Sequence, residues 1–241
     1  MSDPLHHSLL AFNFYPSQSL HSSWWTHLLT GVSSQTEKVN SELSLQQLQA
    51  LNTQQPYLVS RWLLKQANIE GQFDFDFHSP DKQLLLMSPI QLQTLLNNLT
   101  ACLYQPVIAS LLAAKKVKAV KHLLGEQSYR FAIEQASQLS GEIPDSLRAH
   151  IVTAKALNFD DLAMLNKQLN QAAIAVLIAT ASHYSPALQW RLRWKLPFCQ
   201  QLLLPIAVTN DDNTAMDADS YQKCRQLIQE VNNYQPLAKT A

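Results

Sequence analysis

Glycine is scarce in this chain, and the scarcity limits the folds open to it more than any other feature does. The 241 residues include only four glycines, Gly31, Gly71, Gly125 and Gly141. Loops that cradle phosphates need several glycines within a few residues, so a dinucleotide-binding fold and a P-loop are both excluded. Scarce glycine also disfavours a turn-rich all-β fold and favours helices.

Helix-start signals recur along the chain. A serine followed by a proline, a pair that caps a helix and occupies its first turn, stands at Ser88-Pro89 and again at Ser185-Pro186. Pro106 opens a further predicted helix that Gly125 ends, with Leu112 on its apolar side. The remaining helices are predicted over residues 126–139, 145–157, 160–181 and 217–233.

Together these signals predict a mostly α protein in which residues 1–241 form a single-domain helical bundle. Two polar segments are expected to be exceptions. Residues 33–55 are rich in glutamine and poor in apolar side chains, so they are predicted to form either a loosely packed helix or a linker. Residues 209–216 are predicted to form a polar surface loop.

One stretch departs from the helical pattern. Residues 73–77 read Phe-Asp-Phe-Asp-Phe, which has the two-residue period of a strand. Residues 78–81, His-Ser-Pro-Asp, resemble a turn, and residues 83–87 are predicted to return as the partner strand. We therefore expect one short β-hairpin over residues 71–87.

The charge balance argues against a protein that grips nucleic acid. The chain carries 18 basic and 18 acidic side chains, whereas binding to phosphate backbones usually requires a positive excess. The longest apolar run, residues 172–181, is much shorter than the roughly 20 residues of a membrane span. The N-terminal sequence lacks the basic start of a signal peptide. These features predict a cytoplasmic protein without direct membrane insertion.

No catalytic or metal-binding constellation stands out. Asp74 and Asp76 resemble a DxD metal motif, but the solvated face of a hairpin explains them better. The eight histidines show no HExxH or HxxxH spacing, and the three cysteines are widely separated, as is typical of buried thiols. The serine-hydrolase motif GxSxG is absent. We therefore predict no enzymatic activity and no cofactor or metal, while a hydrolase with a Cys-His or Asp pair stays as an alternative.

Residues 190–197, Trp-Arg-Leu-Arg-Trp-Lys-Leu-Pro, alternate cations with apolar side chains. The alternation fits a strand, but the Ser185-Pro186 start and the Pro197 stop favour a helix. In either form Arg191, Arg193 and Lys195 are expected to lie on a side away from the apolar residues. Two interpretations stay open: a core-packed element with solvated cations, and a basic docking face for an acidic protein surface. A helical regulator that binds nucleic acid is a weaker alternative, because the lysines of residues 115–121 are the only other basic concentration.

Four stretches of the chain follow one another in the order found in a known family. They are an opening Phe-x-Phe-x-Pro segment, a Leu-rich helix followed by a basic helix, a basic segment with tryptophans that ends in Leu-Pro, and a C-terminal helix, at residues 12–25, 95–133, 187–198 and 221–233. In these stretches the chain resembles the SctK/YscK proteins of bacterial type III secretion systems. The likeness is collinear and consists of packing patterns.

The resemblance implies a non-enzymatic cytoplasmic adaptor of the sorting platform. Members of that family bridge the cytoplasmic domain of the inner-membrane ring protein (SctD-like) to the pod protein (SctQ-like). Through the pod they link indirectly to the ATPase and its stator. The resemblance therefore implies peripheral association with the cytoplasmic face of the secretion apparatus and support for effector secretion.

Aromatic and basic side chains are the candidates for contacts with such partners. Apolar and aromatic residues anchor protein interfaces, and a charged rim adjusts their specificity. We predict that the partner-binding residues are Trp24, Trp25, Lys115, Lys116, Lys118, Arg191 and Arg193.

Overall fold

Helices make up the regular structure of the chain. The computed structural model describes residues 4–35, 44–139, 157–198 and 218–233, and it contains no β-strand within those ranges. The α-helices are α1 (Pro4–Phe14), α2 (Ser22–Gln35), α3 (Leu45–Gln54), α4 (Pro56–Gln66), α5 (Pro80–Gln83), α6 (Pro89–Leu103), α7 (Gln105–Ala109), α8 (Ala114–Leu124), α9 (Glu126–Glu134), α10 (Ala136–Leu139), α11 (Leu162–Ala181), α12 (Pro186–Lys195) and α13 (Ala218–Asn232). Single 3₁₀ turns lie at Pro16–Ser19 and Leu84–Leu86. The predicted mostly α class is confirmed.

The predicted Ser-Pro helix starts are confirmed by their hydrogen bonds. At the start of α6, the backbone N–H of Gln91 donates to the Ser88 hydroxyl (3.3 Å), and the Ser88 N–H donates to the Gln91 side chain (2.9 Å). This reciprocal pair is a capping box, which satisfies amides that the helix itself leaves free. At the start of α12, the Ser185 hydroxyl accepts from the N–H of Leu188 (3.4 Å).

The two polar segments are only partly described. Of residues 33–55, the stretch Leu45–Gln54 is helix α3, which Ser44 caps through a capping box with Gln47. Residues 36–43 lie outside the described residues, as do the predicted loop at 209–216 and most of the helix predicted over 145–157.

The helix predicted from Pro106 to Gly125 is divided. Helix α7 ends at Ala109, where the Ser110 hydroxyl donates to the carbonyl oxygen of Val107 (2.8 Å) and so competes with the helical pattern. The chain restarts as α8, and Leu112 in the intervening turn is 96% exposed, so its predicted place on an apolar side is wrong. Gly125 ends α8 as predicted, with a φ of 83° that favours glycine.

Two compact units account for most contacts between residues. Unit 1 comprises Met1–Leu92 and Ala181–Val208, and unit 2 comprises Gln93–Thr180 and Thr209–Ala241. In unit 1, buried side chains of α1, α2, α4 and α12 form the core, including Phe12, Trp24, Leu63 and Leu192. In unit 2 the core is formed by α6, α9, α11 and α13, including Leu99, Phe131, Leu169 and Leu227. That residues 1–241 unfold as one domain stays a prediction.

The apolar run at residues 172–181 forms the second half of α11, where Ala173 and Val176 are fully buried. None of the helices among the described residues combines the length and the apolarity needed to cross a bilayer.

The predicted β-hairpin over residues 71–87 is wrong. Residues 72–78 form no strand pairing, and the predicted return strand is instead α5 followed by the 3₁₀ turn at Leu84–Leu86. The backbone N–H of Lys82 donates to the Ser79 hydroxyl (3.3 Å), and Pro80 occupies the first turn of α5. The expected turn is thus a helix start.

A side chain takes the place of the missing partner strand. The Asn13 side chain accepts from the backbone N–H of Asp74 (3.0 Å) and donates to its carbonyl oxygen (2.6 Å). Asp74 and Asp76 also accept from the N–H groups two residues further on, at 2.9 and 3.4 Å. These local bonds satisfy the backbone without a sheet.

Candidate functional site

The basic segment at residues 190–197 is a buried helix. Residues 190–195 form the second half of α12 and Leu196 is its C-terminal cap, as the helical interpretation predicted. The exposures of Arg191, Arg193 and Lys195 are only 2%, 3% and 7%. The expectation that these cations lie on a solvated side, or form an exposed basic face, is therefore wrong.

Arg191 reaches the C-terminal end of α1. Its Nε donates to the carbonyl oxygen of Phe12 (3.2 Å) and its Nη2 to that of Asn13 (3.2 Å). The last carbonyls of a helix have no partner within it and carry partial negative charge, so a cation is favourable there. Nη2 also donates to the carbonyl oxygen of Gln72 (2.9 Å), and Nη1 to that of Ala187 (3.1 Å). One guanidinium thus joins α1, α12 and the segment after α4.

Lys195 makes a second link of the same kind. It lies four residues after Arg191, on the same side of α12. Its Nζ donates to the carbonyl oxygens of Leu85 and Met87 (3.0 Å to Met87), at the end of the 3₁₀ turn. Nζ also lies 5.3 Å from the centre of the Phe12 ring. The ammonium therefore fastens residues 85–87 to α12.

The C-terminal end of α12 is held by α2. The indole Nε1 of Trp24 donates to the carbonyl oxygens of Arg193 (3.1 Å) and Leu196 (2.9 Å). The N–H of His21 donates to the carbonyl oxygen of Trp194 (2.8 Å). These donors satisfy carbonyls that a helix end leaves free, so α12 and α2 fix each other in unit 1.

Burial makes the cations of α12 harder to keep charged. It lowers the pKa of Lys195 to about 8. It lowers the pKa of Arg191 to about 10, an effect that the nearby Asp74 carboxylate opposes. Burial also lowers the pKa of Arg193, whose guanidinium lies 5.0 Å from the centre of the Trp190 ring. The physical cause is the loss of water around a charged group.

Trp24 and Trp25 are core residues, with exposures of 1% and 6%. The structure brings Trp24 together with the backbone of Arg193, so two of the predicted contact residues share one buried cluster. Partner contact by these residues stays a prediction, and any such role has to act through the fold of unit 1, since their side chains are not on its surface.

The lysines of α8 lie on the surface of unit 2. Lys115, Lys116 and Lys118 are all exposed. Lys115 pairs with Asp160 (2.8 Å), and Nζ of Lys116 lies 5.0 Å from the centre of the Phe159 ring. Lys118 has no ionic partner within the described ranges. We call this group, with the exposed Leu112 one turn before it, the α8 surface.

A match to a family model identifies the family of the chain. The model described as YOP proteins translocation protein K (YscK) matches residues 8–234. The chain belongs to the YscK family. It is therefore a protein of type III secretion, and the resemblance seen in the sequence is confirmed. No curated protein and no solved structure gives a match to the chain.

The two aspartates of the DxD alternative lie beside a lysine. YscK proteins are components of a secretion machine and are not a known class of enzyme. In this YscK chain Asp74 and Asp76 both face the ammonium of Lys82, at 2.9 and 3.8 Å. Within the described ranges, no group of three His, Cys, Asp or Glu side chains is placed to hold a metal ion.

Two residues of this YscK fold are absent from the predicted site. The carboxamide of Asn13 bonds to the backbone of Asp74, and its carbonyl oxygen accepts from Arg191. Lys195 is not among the predicted contact residues. A signal existed for Lys195, because it stands four residues after Arg191 on a predicted helix; nothing in the sequence distinguished Asn13 from the chain's other asparagines.

Proposed function

We propose that the chain is a non-enzymatic cytoplasmic adaptor of a type III secretion system. It links the cytoplasmic domain of the inner-membrane ring protein (SctD-like) to the pod protein of the sorting platform (SctQ-like), and through the pod it links indirectly to the ATPase and its stator. It associates peripherally with the cytoplasmic face of the inner-membrane apparatus and supports effector secretion. The observation that carries this proposal is the YscK family match over residues 8–234.

The hydrogen bonds that hold α12 in unit 1 support a role that requires a fixed geometry. An adaptor holds two partners at a fixed geometry, so its own elements have to stay in place while it binds. In unit 1, α12 is bonded through Arg191, Lys195 and Trp24 to α1, to residues 72–87 and to α2. Such a buried, satisfied polar network specifies one arrangement of the elements.

The α8 surface is the part of the predicted contact set that is free to meet a partner. Helix α8 contains Lys115, Lys116, Lys118 and Lys121 and no acidic residue. Leu112 adds an exposed apolar side chain beside these cations. An apolar anchor with a charged rim is the usual composition of a protein interface. We propose that the α8 surface binds an acidic face of one of the two partners.

Affinity purification from the native cell tests the adaptor role. The tagged chain is expected to recover both the ring protein and the pod protein. A variant with Lys115, Lys116 and Lys118 changed to Glu is expected to lose one of them and to reduce secretion, with an unchanged melting temperature. Because exposed substitutions usually change stability by less than about 0.5 kcal/mol, a loss of binding would come from the surface itself.

A control variant carries the same change of charge elsewhere. Arg61, Lys65 and Lys167 are not buried, and their replacement by Glu is expected to preserve recovery of both partners. Equal loss in the two triple variants would refute the α8 surface as the contact. Recovery of neither ring nor pod protein by the unmodified chain would refute the adaptor role.

A further inference from the structure

Residues 72–78 run through unit 1 without regular secondary structure. They follow α4 and contain no helix, turn or bend. The ring centres of Phe73 and Phe75 lie 4.6 and 6.5 Å from that of Phe14. Side chains two residues apart point to the same side when the chain is extended, so these contacts identify an extended segment.

The two edges of this segment differ. In an extended chain, the N–H and C=O groups of alternate residues point to the same edge. The inner edge is satisfied, because Gln72 accepts from Arg191 and Asp74 pairs with the Asn13 side chain. The outer edge carries the N–H and C=O groups of Phe73 and Phe75, which have no hydrogen-bond partner within the described part of the chain.

An exposed apolar surface borders the outer edge. Phe73 and Phe75 are 44% and 53% exposed. Leu10, which precedes Phe14 by one turn of α1, is 49% exposed. On the other face of the segment, the Asp76 side chain is 71% exposed and lies 3.8 Å from Lys82. An unpaired edge with exposed aromatic rings is a template for pairing with another chain.

We propose that residues 72–76 form a docking edge that accepts, by antiparallel β-strand addition, an extended segment of a partner protein in which apolar and basic residues alternate. The main-chain groups of Phe73 and Phe75 pair with the incoming strand. Residues directly opposite each other in such a pair share a face. The incoming apolar side chains therefore lie beside Phe73 and Phe75, and the basic ones lie on the face of Asp74 and Asp76. On that face Asp76 offers the more exposed carboxylate, because the Asp74 side chain is only 22% exposed and lies 2.9 Å from Lys82. This site is independent of the α8 surface and of the adaptor role.

A blocked, dye-labelled heptapeptide, Lys-Val-Lys-Val-Lys-Val-Lys, tests the proposal by fluorescence anisotropy with the purified full chain. The control peptide, Lys-Lys-Val-Val-Val-Lys-Lys, has the same composition without the alternation. The alternating peptide is expected to bind at least about tenfold more tightly than the control. Both peptides have the same main-chain groups, but in an extended control peptide lysines would lie beside Phe73 and Phe75 and valines would lie on the face of the aspartates. Equal affinities would overturn the proposal.

N-methylation of the peptide tests main-chain pairing directly. In an antiparallel pair the bonded residues lie opposite each other, so the valine amides face the docking edge and the lysine amides point away from it. Methyl groups on the valine amides are expected to abolish binding, and methyl groups on the lysine amides are expected to preserve it. Any other pattern overturns the proposed antiparallel pairing.

Two substitutions at one position provide the matched test in the protein. Phe75→Ala removes the ring and keeps the backbone N–H, whereas Phe75→Pro removes both. Since this N–H has no partner within the described residues, both variants are expected to keep the far-UV spectrum of the parent chain. Phe75→Pro is expected to bind the alternating peptide about two- to tenfold more weakly than Phe75→Ala, the change expected from the loss of one main-chain hydrogen bond. Equal binding by the two folded variants contradicts the proposal, and the methylated peptides keep it testable should Phe75→Pro fail to fold.

A second copy of this chain is the alternative occupant of the docking edge, and a further measurement distinguishes it from a basic partner strand. Sedimentation of the purified chain shows whether it self-associates. A dimer that Phe75→Pro dissociates, and that the alternating peptide fails to disrupt, would mean that the edge pairs with itself and would overturn the assignment to a basic partner strand.

Discussion

Arg191 acts as the common donor for three parts of unit 1 that are distant in sequence. Its four hydrogen bonds end on the carbonyl oxygens of Phe12, Asn13, Gln72 and Ala187. A buried carbonyl that loses its donor costs about 1–3 kcal/mol, while removal of a buried cation relieves its desolvation. With several carbonyls affected at once, the first effect is larger.

We therefore predict that Arg191→Met lowers the free energy of unfolding by about 3 kcal/mol. Arg191→Lys is also expected to destabilise, since a single ammonium cannot reproduce the planar fork of donors. Urea denaturation followed by circular dichroism measures both. Lys116→Met, a change of an exposed cation, is the control and is expected to differ from the parent chain by less than about 0.5 kcal/mol. A parent-like Arg191→Met variant would contradict the role given to this side chain.

The burial of Arg191 and Arg193 also changes how a charge reversal at these two positions is to be interpreted. On the exposed-face hypothesis, reversal abolishes secretion and leaves helicity intact. Because both side chains are buried, reversal places one carboxylate against the backbone carbonyls that Arg191 contacts and a second carboxylate away from water at position 193. We expect it to unfold unit 1. A loss of secretion in that variant would report folding and not a docking contact.

Lys195 makes stability depend on pH in a defined direction. Burial lowers its pKa to about 8 from an ordinary value of 10.5. Between these two values the unfolded chain holds a proton that the folded chain has released, so stability rises with pH in this window. Below pH 8 both states are protonated, and the full desolvation cost is present.

The test compares the parent chain with Lys195→Met, in which this titration is absent. From pH 7 to pH 10 the difference in unfolding free energy is expected to move in favour of the parent chain by roughly 2 kcal/mol. Other titrating groups are common to both proteins and cancel in the difference. A difference that stays constant with pH, measured by urea denaturation, would show that Lys195 keeps an ordinary pKa.

Helix starts and helix bounds can be predicted from the sequence where they depend on residues within one turn. Ser88-Pro89 and Ser185-Pro186 start α6 and α12 because capping depends only on residues within one turn. The predicted bounds of 160–181 and 217–233 agree closely with α11 and α13. The prediction of a hairpin is wrong because the backbone of Asp74 pairs with the Asn13 side chain of α1. The hydrophobic period of residues 71–87 does not reveal that partner.

The prediction of a solvated basic side on α12 is wrong for a related reason. The sequence shows the cations of this helix, but not the carbonyl groups at the ends of α1 and of the 3₁₀ turn at Leu84–Leu86 that accept from them. Those carbonyls are free only because their helices end where they do. Burial of a cation is therefore a tertiary property that composition and spacing do not contain.

The segment at residues 72–78 is predicted to depend on Asn13. In Asn13→Ala, the amide of Asp74 loses its acceptor and its carbonyl loses its donor. We expect faster hydrogen exchange in peptides covering residues 71–78 and little change in peptides from α11, measured by mass spectrometry. Asn97→Ala, which removes a bond to the carbonyl of Leu124 in unit 2, is the matched control. Equal protection of residues 71–78 in the parent and the Asn13 variant would refute the anchoring role.

For the whole molecule, the distribution of tryptophans provides a test of the single-domain prediction. All five, Trp24, Trp25, Trp62, Trp190 and Trp194, belong to unit 1. Tryptophan fluorescence therefore reports unit 1, whereas far-UV circular dichroism reports helices of both units. If residues 1–241 unfold as one domain, the two urea transitions coincide.

A destabilising change in unit 2 makes this test sharper. Leu169 of α11 is 1% exposed, and Leu169→Ala is expected to cost about 2–5 kcal/mol. In a single cooperative domain, the tryptophan signal moves to lower urea together with the circular dichroism signal. A tryptophan transition that stays in place while part of the helical signal is lost would divide the chain into two independently folding domains.

The position of α12 in the chain has a consequence for synthesis. The donors that satisfy the carbonyls of Phe12, Gln72 and Leu85 reside on Arg191 and Lys195. During translation, residues 4–90 leave the ribosome about a hundred residues before these cations are added. Unit 1 consequently completes its folding only after α12 has been translated, and we expect a product that stops before α12 to expose apolar surface to chaperones and proteases.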